Sequence, residues 1–245
     1  MSDPAIAPVI VLLHGIRTRA FWFDTVTPIL RINGTTVKPI SYGRFDLVRF
    51  LLPGITRRRP QAIVTTELRT IISEIKKRGQ TPQISVIAHS FGTYTIAKVL
   101  EAETDIELHN LIFCGSVLPI DYDLSLMCKK IKNKFVNDAG YRDIWPIIAK
   151  IGSFGYGTSG TYGFGRALCD DRHHDLRHND FFNFGFVHKY WLPVFKDDKI
   201  EPSNFNRNSK KEPLFQSIIS LLPASIIPIV ILATLAAFAA WSLLK

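Results

Sequence analysis

The feature that most restricts the fold of this chain is a serine that lies between a predicted strand and a predicted helix. Residues 83–87 are rich in β-branched side chains and predict a buried strand, and residues 93–100 predict a helix. Ser90 stands between them, with the small residues Ala88 and Gly92 two positions before and two after it. Small residues at these positions let strand and helix approach closely, which holds the serine in a strained backbone. This context favours a nucleophile over a helix N-cap serine.

Predicted strands alternate with predicted helices along the first half of the chain. The strands are expected at residues 8–13, 35–41, 83–88 and 108–117, and the helices at 20–32, 61–78 and 91–103. This alternation predicts an α/β fold with a mostly parallel sheet and helices on both faces. Ligands of such sheets bind at the carboxyl ends of the strands. The 245 residues, 47% of them hydrophobic, suffice for one such domain and an appendage.

A histidine and a glycine, His14 and Gly15, follow the first predicted strand. A serine that transfers acyl groups requires two backbone N–H donors directed at the developing oxyanion. The loop after the first strand and the serine turn together resemble the α/β-hydrolase superfamily of lipases and esterases, over about residues 8–100. The resemblance implies an α/β-hydrolase fold, with the N–H groups of Phe91 and Ile16 as the oxyanion donors.

The same resemblance implies that an acid and a histidine follow the serine in that order. A short predicted strand over residues 134–137 opens into a loop that contains two aspartates. Asp143, shortly before a proline, is the preferred acid, and Asp138, at the strand end, is the alternative. One of the two is expected to cap the following helix. The short interval between residues 117 and 138 leaves no room for a large cap domain.

Four histidines lie beyond the acid loop: His173, His174, His178 and His188. His178 lies in the sequence Arg-His-Asn-Asp-Phe, which resembles the family's His-Ser-Asp-aromatic loop, and is the preferred base. His188 is the alternative, although its bulky, helix-like surroundings favour a structural role. His173 and His174 are predicted to be solvated loop residues.

These assignments predict a serine hydrolase that works through an acyl-enzyme. His178 would take the proton from Ser90 during its attack on an acyl carbonyl, and Asp143 would hold the imidazole in the required tautomer. Water activated by His178 would then release the acyl group. Neither step requires a cofactor or a metal.

Two other kinds of site are disfavoured. Residues 170–180 are rich in His and Asp, but they lack an H-E-x-x-H motif and carry Arg172 and Arg177, which oppose a cation, so no metal site is predicted. The net charge of +9 comes from separate basic clusters without interleaved stacking aromatics, so no nucleic-acid partner is predicted. Attraction to anionic lipid headgroups is the simpler account of these clusters.

The C-terminal segment carries the second strong signal. Residues 213–244 contain no charged side chain, and residues 221–244 are nearly all apolar. A helix of 24 residues would be about 36 Å long, enough to cross a hydrocarbon core of about 30 Å, although Pro223 and Pro228 shorten its regular part. We therefore expect a C-terminal transmembrane helix. The predicted organisation is a catalytic domain at 1–195, a polar linker at 196–213 and a membrane anchor at 214–245.

Charges beside this segment predict its orientation. Lys210 and Lys211 precede it and Lys245 follows, which favours a single-pass anchor with the catalytic domain on the cytoplasmic side. Three cysteines without metal spacing fit a reducing compartment.

The favoured function is a membrane-anchored serine hydrolase that cleaves acyl esters of lipids, as a phospholipase or lipase does. The nearest alternative is a protein thioesterase or depalmitoylase at the membrane. A non-catalytic, membrane-anchored binding or effector protein with the hydrolase fold is the alternative from another class. No sequence feature identifies a regulatory protein partner or decides whether the chain forms a homo-oligomer.

Overall fold

The computed structural model describes residues 4–15, 22–32, 34–42, 55–207 and 213–243, and only the backbone of residues 55–56 and 238–243. Six parallel strands form one sheet in the order β2-β1-β3-β4-β5-β6. The strands are β1 (Ile6–Leu13), β2 (Thr36–Ile40), β3 (Thr81–His89), β4 (Leu108–Cys114), β5 (Ile131–Gly140) and β6 (Asp170–His174).

Helices connect these strands and continue beyond the sheet. The α-helices are α1 (Trp22–Leu30), α2 (Ile55–Lys77), α3 (Phe91–Ala102), α4 (Ser125–Cys128), α5 (Trp145–Gly152), α6 (Ser159–Tyr162), α7 (Phe184–Phe186), α8 (Leu192–Lys196), α9 (Leu214–Ser220) and α10 (Ile226–Leu243). A 3₁₀-helix covers Asp180–Phe182, and a π-helical turn covers Val187–Trp191.

The sheet is buried on both faces by two apolar clusters. Successive residues of a strand point to opposite faces. Accordingly, Val9 and Val11 of β1 belong to the cluster that contains the apolar side chains of α2 and α3, whereas Ile10 and Leu12 belong to the cluster that contains those of α1 and α8. The predicted parallel sheet with helices on both faces is confirmed.

The sequence analysis missed β6. This strand reads Asp-Asp-Arg-His-His, and its lack of alternating apolar residues gives no strand signal. His173 and His174 were predicted in a solvated loop, and this is wrong: both lie on β6, and His174 is only 4% exposed. The polar strand is stable in the interior because Asp138 on the neighbouring β5 pairs with Arg172 and His174.

The predicted transmembrane helix is not found. In the described part of the chain, no helix has the length and apolar character needed to cross a membrane. The apolar C-terminal segment is divided between α9 and α10, with a break at residues 221–225 in which Ser225 has φ 61°. With 18 residues, α10 is about 27 Å long, less than the hydrocarbon thickness of about 30 Å.

Instead, the C-terminal helices dock on α5. The Lys150 ammonium donates a 3.1 Å hydrogen bond to the Ser220 carbonyl, and the Ser225 amide donates a 2.8 Å hydrogen bond to the Lys150 carbonyl. The side-chain amide of Gln216 donates a 3.1 Å hydrogen bond to the Tyr141 carbonyl. These contacts attach α9 and α10 to the segment that follows β5.

Large apolar side chains of α9, α10 and the turn between them remain exposed: Leu214, Phe215, Ile218, Leu221, Leu222, Ile227, Ile229, Val230, Ile231, Leu232 and Leu235. At 3.6 residues per turn, the exposed positions of α10 lie on all sides of the helix. The exposed apolar surface formed by these residues is called the C-terminal apolar surface below.

The described part of the predicted linker packs against the domain. The Ser203 hydroxyl donates to the carbonyl of His173 on β6. The Arg207 guanidinium donates a 2.8 Å hydrogen bond to the Thr161 carbonyl and lies 4.4 Å from the centre of the Tyr162 ring. The division into domain, linker and C-terminal segment is predicted from sequence composition alone. In the structure, residues 196–207 contact both β6 and α6.

Candidate active site

Ser90 is the single residue between β3 and α3. Its backbone has φ 54° and ψ −122°, a conformation that is rare and strained for a residue other than glycine. The Ser90 amide donates a 3.1 Å hydrogen bond to the carbonyl of Cys114 at the end of β4, and the Thr93 hydroxyl donates to the Ser90 carbonyl at 2.6 Å. The neighbouring strand and the first turn of α3 thus hold the strained serine in place.

Two glycines allow the backbone after β1 to lie against this serine. A Cβ atom on Gly15 would lie 2.7 Å from the Cβ of Ser90, and a Cβ on Gly92 would lie 2.9 Å from the carbonyl oxygens of Leu13 and His14. Any side chain at these positions would collide with its neighbours. Glycine at positions 15 and 92 therefore allows the serine turn and the loop after β1 to lie this close together.

The loop after β1 is fixed by stacking and by hydrogen bonds. The ring of His14 stacks on Tyr42 with centroids 4.3 Å apart, and the Tyr42 hydroxyl donates to the His14 carbonyl. His14 Nδ1 donates to the Gly15 carbonyl at 2.7 Å. Burial lowers the pKa of His14, an effect that this hydrogen bond partly offsets. The predicted oxyanion donor Ile16 comes next and lies outside the described residues.

Phe91, the other predicted oxyanion donor, is the first residue of α3 and is fully buried. Its amide therefore lies at a helix N-terminus, where the helix dipole favours negative charge. The adjacent Ser90 side chain and this helix end share one location at the carboxyl end of β3. A helix N-terminus beside a serine can stabilise negative charge that develops there.

The preferred acid and the preferred base lie in direct contact. His178 Nδ1 donates a 2.7 Å hydrogen bond to Asp143 Oδ2, and Asp143 is fully buried. The other carboxylate oxygen of Asp143 accepts a 3.0 Å hydrogen bond from the amide of Trp145 at the start of α5. One aspartate of the loop was expected to cap this helix, but the N-cap residue is Ile144, and Asp143 stands one position before it.

The end of β4 connects the serine turn to this pair. Cys114 accepts the hydrogen bond from Ser90, and a Cβ on the next residue, Gly115, would lie 2.9 Å from His178 Nδ1 and 3.1 Å from Asp143 Oδ2. Within the described residues, Ser90 Oγ makes no hydrogen bond to His178. Such bonds are often long before substrate binds and tighten in the substrate complex.

The alternative acid, Asp138, is engaged elsewhere. Its carboxylate accepts two 2.8 Å hydrogen bonds from Arg172, one of 2.8 Å from His174 Nε2 and one of 2.9 Å from the Trp191 indole. Burial alone would raise the pKa of Asp138, but the Arg172 charge and the His174 hydrogen bond outweigh it and lower the pKa to about 2. Asp138 does not contact His178, so the structure does not bring these two residues together.

The alternative base, His188, points away from this location. It lies on the π-helical turn, is exposed to solvent, and stacks on Phe184 with ring centroids 5.5 Å apart. The structure therefore joins the preferred acid and the preferred base of the sequence analysis, and neither alternative.

Ser203, His174 and Asp138 form a second Ser-His-Asp arrangement, which was not predicted from the sequence. Ser203 Oγ lies 3.4 Å from His174 Nδ1, and His174 Nε2 contacts Asp138. The Ser203 hydroxyl, however, donates to the His173 carbonyl, and Arg172 already occupies both oxygens of the carboxylate. These contacts make the arrangement a buried structural network. The arginine two positions before His174 was the available signal for it.

Comparisons with known proteins support the fold. No protein-family profile matches the sequence, and the comparison with curated proteins found no match. Among solved structures, an uncharacterized protein from Bacillus cereus ATCC 10987 has a TM-score of 0.56 at 14% identity, over 81% of this chain and 62% of its own length. This chain thus spans less than two thirds of that protein.

A second similar structure is matched over most of its own length. A protein of unknown function from Agrobacterium tumefaciens, described as an α/β-hydrolase candidate, has a TM-score of 0.52 at 14% identity, over 80% of this chain and 89% of its own. At identities this low, the structural similarity indicates a shared fold but no shared activity. Together with the six parallel strands and the serine turn after β3, this similarity shows that the chain has the α/β-hydrolase fold.

Proposed function

We propose that this protein is a serine hydrolase that cleaves acyl esters through an acyl-enzyme intermediate. The observation that carries the proposal is the 2.7 Å hydrogen bond between His178 and the buried Asp143, next to the strained turn at Ser90. An exposed serine or a lone histidine would have little meaning alone. A strained serine, a histidine and a buried carboxylate in one place support nucleophilic catalysis.

In this proposal, each side chain has one role. A carboxylate can only accept, so the hydrogen bond to Asp143 places a proton on His178 Nδ1 and leaves Nε2 as the base. As Ser90 Oγ bonds to the acyl carbon, His178 takes the proton of the serine hydroxyl. His178 then gives that proton to the oxygen of the leaving alcohol. In the second half, His178 takes a proton from water, whose oxygen attacks the acyl-enzyme, and Ser90 leaves with that proton.

The oxyanion formed in each half would be held by two backbone amides. Phe91 supplies the first from the N-terminus of α3. Ile16 is proposed from its place in the sequence, directly after the glycine that touches Ser90. Removal of one such donor typically costs about 10²–10³-fold in kcat.

We further propose a lipid ester as the substrate, with the protein held at a membrane surface by the C-terminal apolar surface. The exposed side chains of α10 lie on all its sides, so a partner protein that covers one face would leave the others in water, whereas lipid around α10 would cover them all. Leu221 is 82% exposed and Phe215 is 64% exposed.

The C-terminal apolar surface is attached close to the candidate site. The helices that carry it, α9 and α10, pack on α5. This helix begins at Trp145, whose exposed ring has its centroid 6.2 Å from that of His178. A membrane bound by α9 and α10 would therefore lie near the entrance to Ser90. The same arrangement would suit a thioester of a lipid-modified protein, which is the nearest variant of this substrate.

A substrate panel tests the proposal. Purified protein and its Ser90→Ala variant are compared on a short-chain p-nitrophenyl ester, on phospholipid vesicles and on a palmitoyl-thioester peptide. The proposal predicts release of fatty acid from the vesicles that requires Ser90. Turnover of the thioester alone would replace the lipid ester by the variant substrate, and turnover of none of the three would contradict the hydrolase.

A further inference from the structure

We infer that His89, the residue before the candidate nucleophile, is a positioning residue that fixes the backbone of His178. His89 Nε2 lies 3.0 Å from the carbonyl oxygen of His178. A carbonyl oxygen only accepts, so Nε2 carries the hydrogen and donates it. The last residue of β3 is thereby bonded to the main chain of the candidate base, across a sequence separation of 89 residues.

The ring of His89 is held by aromatic side chains from three directions. Its centroid lies 4.4 Å from that of His178, 4.8 Å from that of Phe182 and 6.5 Å from that of Trp22. Trp22 and Phe182 stack on each other at 4.4 Å, which closes the enclosure. The donor nitrogen is therefore oriented by packing and is not free to turn toward solvent.

The enclosure also fixes the charge state of His89. Burial lowers the pKa of His89 well below its usual range, and the nearby rings of His178 and His14 lower it further. A neutral His89 bonded through Nε2–H supplies one donor and does not compete with His178 for a proton. The hydrogen bond to the His178 carbonyl raises the pKa of His89, but burial outweighs it, so the ring stays neutral.

This bond complements the one made by Asp143. Asp143 orients the His178 side chain, whereas His89 holds its main chain. Elsewhere in this loop, the Arg142 amide donates to the Leu176 carbonyl at 3.0 Å. Since the donor is covalently next to Ser90, the spacing between nucleophile and base depends on one short path through His89. A loss of catalytic efficiency of about 10²-fold from a 1 Å misplacement is typical of such sites.

Three variants separate the donor from the ring. His89→Gln keeps an N–H₂ donor near the position of Nε2, His89→Asn has the same amide on a shorter side chain, and His89→Phe keeps the ring but has no donor. His109→Gln is the matched control, because His109 lies near the start of β4, at the end of the sheet away from the candidate site. The inference rests on the proposed function, so the readouts are kcat and KM on a p-nitrophenyl ester, the rate of fluorophosphonate labelling of Ser90, and the melting temperature.

We expect His89→Phe and His89→Asn to lower kcat and the labelling rate about tenfold, as loss of one buried hydrogen bond would, with KM changed less than about twofold. His89→Gln should remain within about threefold of the wild type, and His109→Gln should not differ from it. If the Phe variant does not fold, the Gln and Asn variants still differ only in reach.

Equal rates for the Gln and Asn variants would overturn the inference, and so would a Phe variant with the wild-type rate. A rise in KM at constant kcat would also overturn it, because a positioning role changes the chemical step. Wild-type protein that is not labelled at Ser90 would overturn the proposed function first and the role of His89 with it. The labelling of the wild type therefore distinguishes the two failures.

Discussion

His178 donates its Nδ1 hydrogen to Asp143, and this 2.7 Å bond decides which ring nitrogen remains available to Ser90. The carboxylate lies in the interior and its second oxygen accepts the amide hydrogen of Trp145, so it is fixed at the start of α5. The tautomer of the base and the beginning of a helix thus depend on one side chain. That relationship makes Asp143 the most informative position for mutation after Ser90.

Asp143→Asn tests this role with little change in shape. The asparagine oxygen still accepts from the Trp145 amide, so we expect a melting temperature close to that of the wild type. The amide would donate to His178 and stabilise the wrong tautomer, which lowers kcat about 10⁴-fold in comparable triads. Steady-state kinetics and thermal unfolding check both expectations. A kcat within about threefold of the wild type would exclude Asp143 as the acid.

Asp138→Asn should have the opposite profile. Removal of this charge leaves Arg172 buried without its carboxylate, and breaking a buried pair typically destabilises a protein by about 3–5 kcal/mol. Urea unfolding measures this loss. Asp105→Asn, which breaks an exposed pair with Arg69, is the matched control and should lower the free energy of unfolding far less, because solvent screens this pair.

The same variant discriminates between the two aspartates of the loop. At a temperature at which Asp138→Asn is folded, we expect it to keep labelling of Ser90 by a fluorophosphonate. A folded Asp138→Asn protein without labelling, together with an active Asp143→Asn protein, would make Asp138 the acid.

Asp138 also predicts how stability depends on pH. Its pKa in the folded protein, about 2, lies below the ordinary value of 3.8, so its stabilising effect is complete above about pH 4 and is lost as the pH falls toward 2. Urea midpoints measured between pH 6 and 2 should decrease across this window. The decrease should be smaller in Asp138→Asn, and an equal decrease in both proteins would show that other carboxylates control acid unfolding.

The C-terminal apolar surface should bind lipid. Replacement of Phe215 and Leu221 by Glu places two charges on this surface, and burial of each such apolar side chain contributes about 1.5–3 kcal/mol. We expect the double variant to lose most of its co-sedimentation with anionic phospholipid vesicles. Leu126→Glu, at an exposed leucine of α4 outside this surface, should bind like the wild type. Unchanged sedimentation of the double variant would exclude this surface as the lipid contact.

The parts of the fold that were predictable are those in which one local pattern has one physical solution. The apolar strand before Ser90 and the small residues around it require a tight strand-to-helix turn, and the structure contains that turn. The glycine at position 15 follows the same logic, since its closeness to Ser90 leaves no space for a side chain.

The remainder depended on contacts between distant segments. His174 has the sequence environment of a solvated loop, and its hydrogen bond to Asp138 on the adjacent strand helps to make its burial favourable. The donation from His89 to His178 joins residues whose sequence gives no sign of each other. The apolar C-terminal segment has the composition of a membrane span, and its two prolines indicated a shortened helix, but nothing in the sequence revealed the docking on α5.

Site-resolved labelling by a fluorophosphonate tests the central claim most directly. The wild type, Ser90→Ala and Ser85→Ala, which changes a buried serine of β3, are treated with the probe, and the modified peptide is identified by mass spectrometry. We predict one adduct on Ser90 in the wild type and in Ser85→Ala, at a rate that falls sharply in Asp143→Asn, and none in Ser90→Ala. A folded wild-type protein without an adduct on Ser90 would contradict the account.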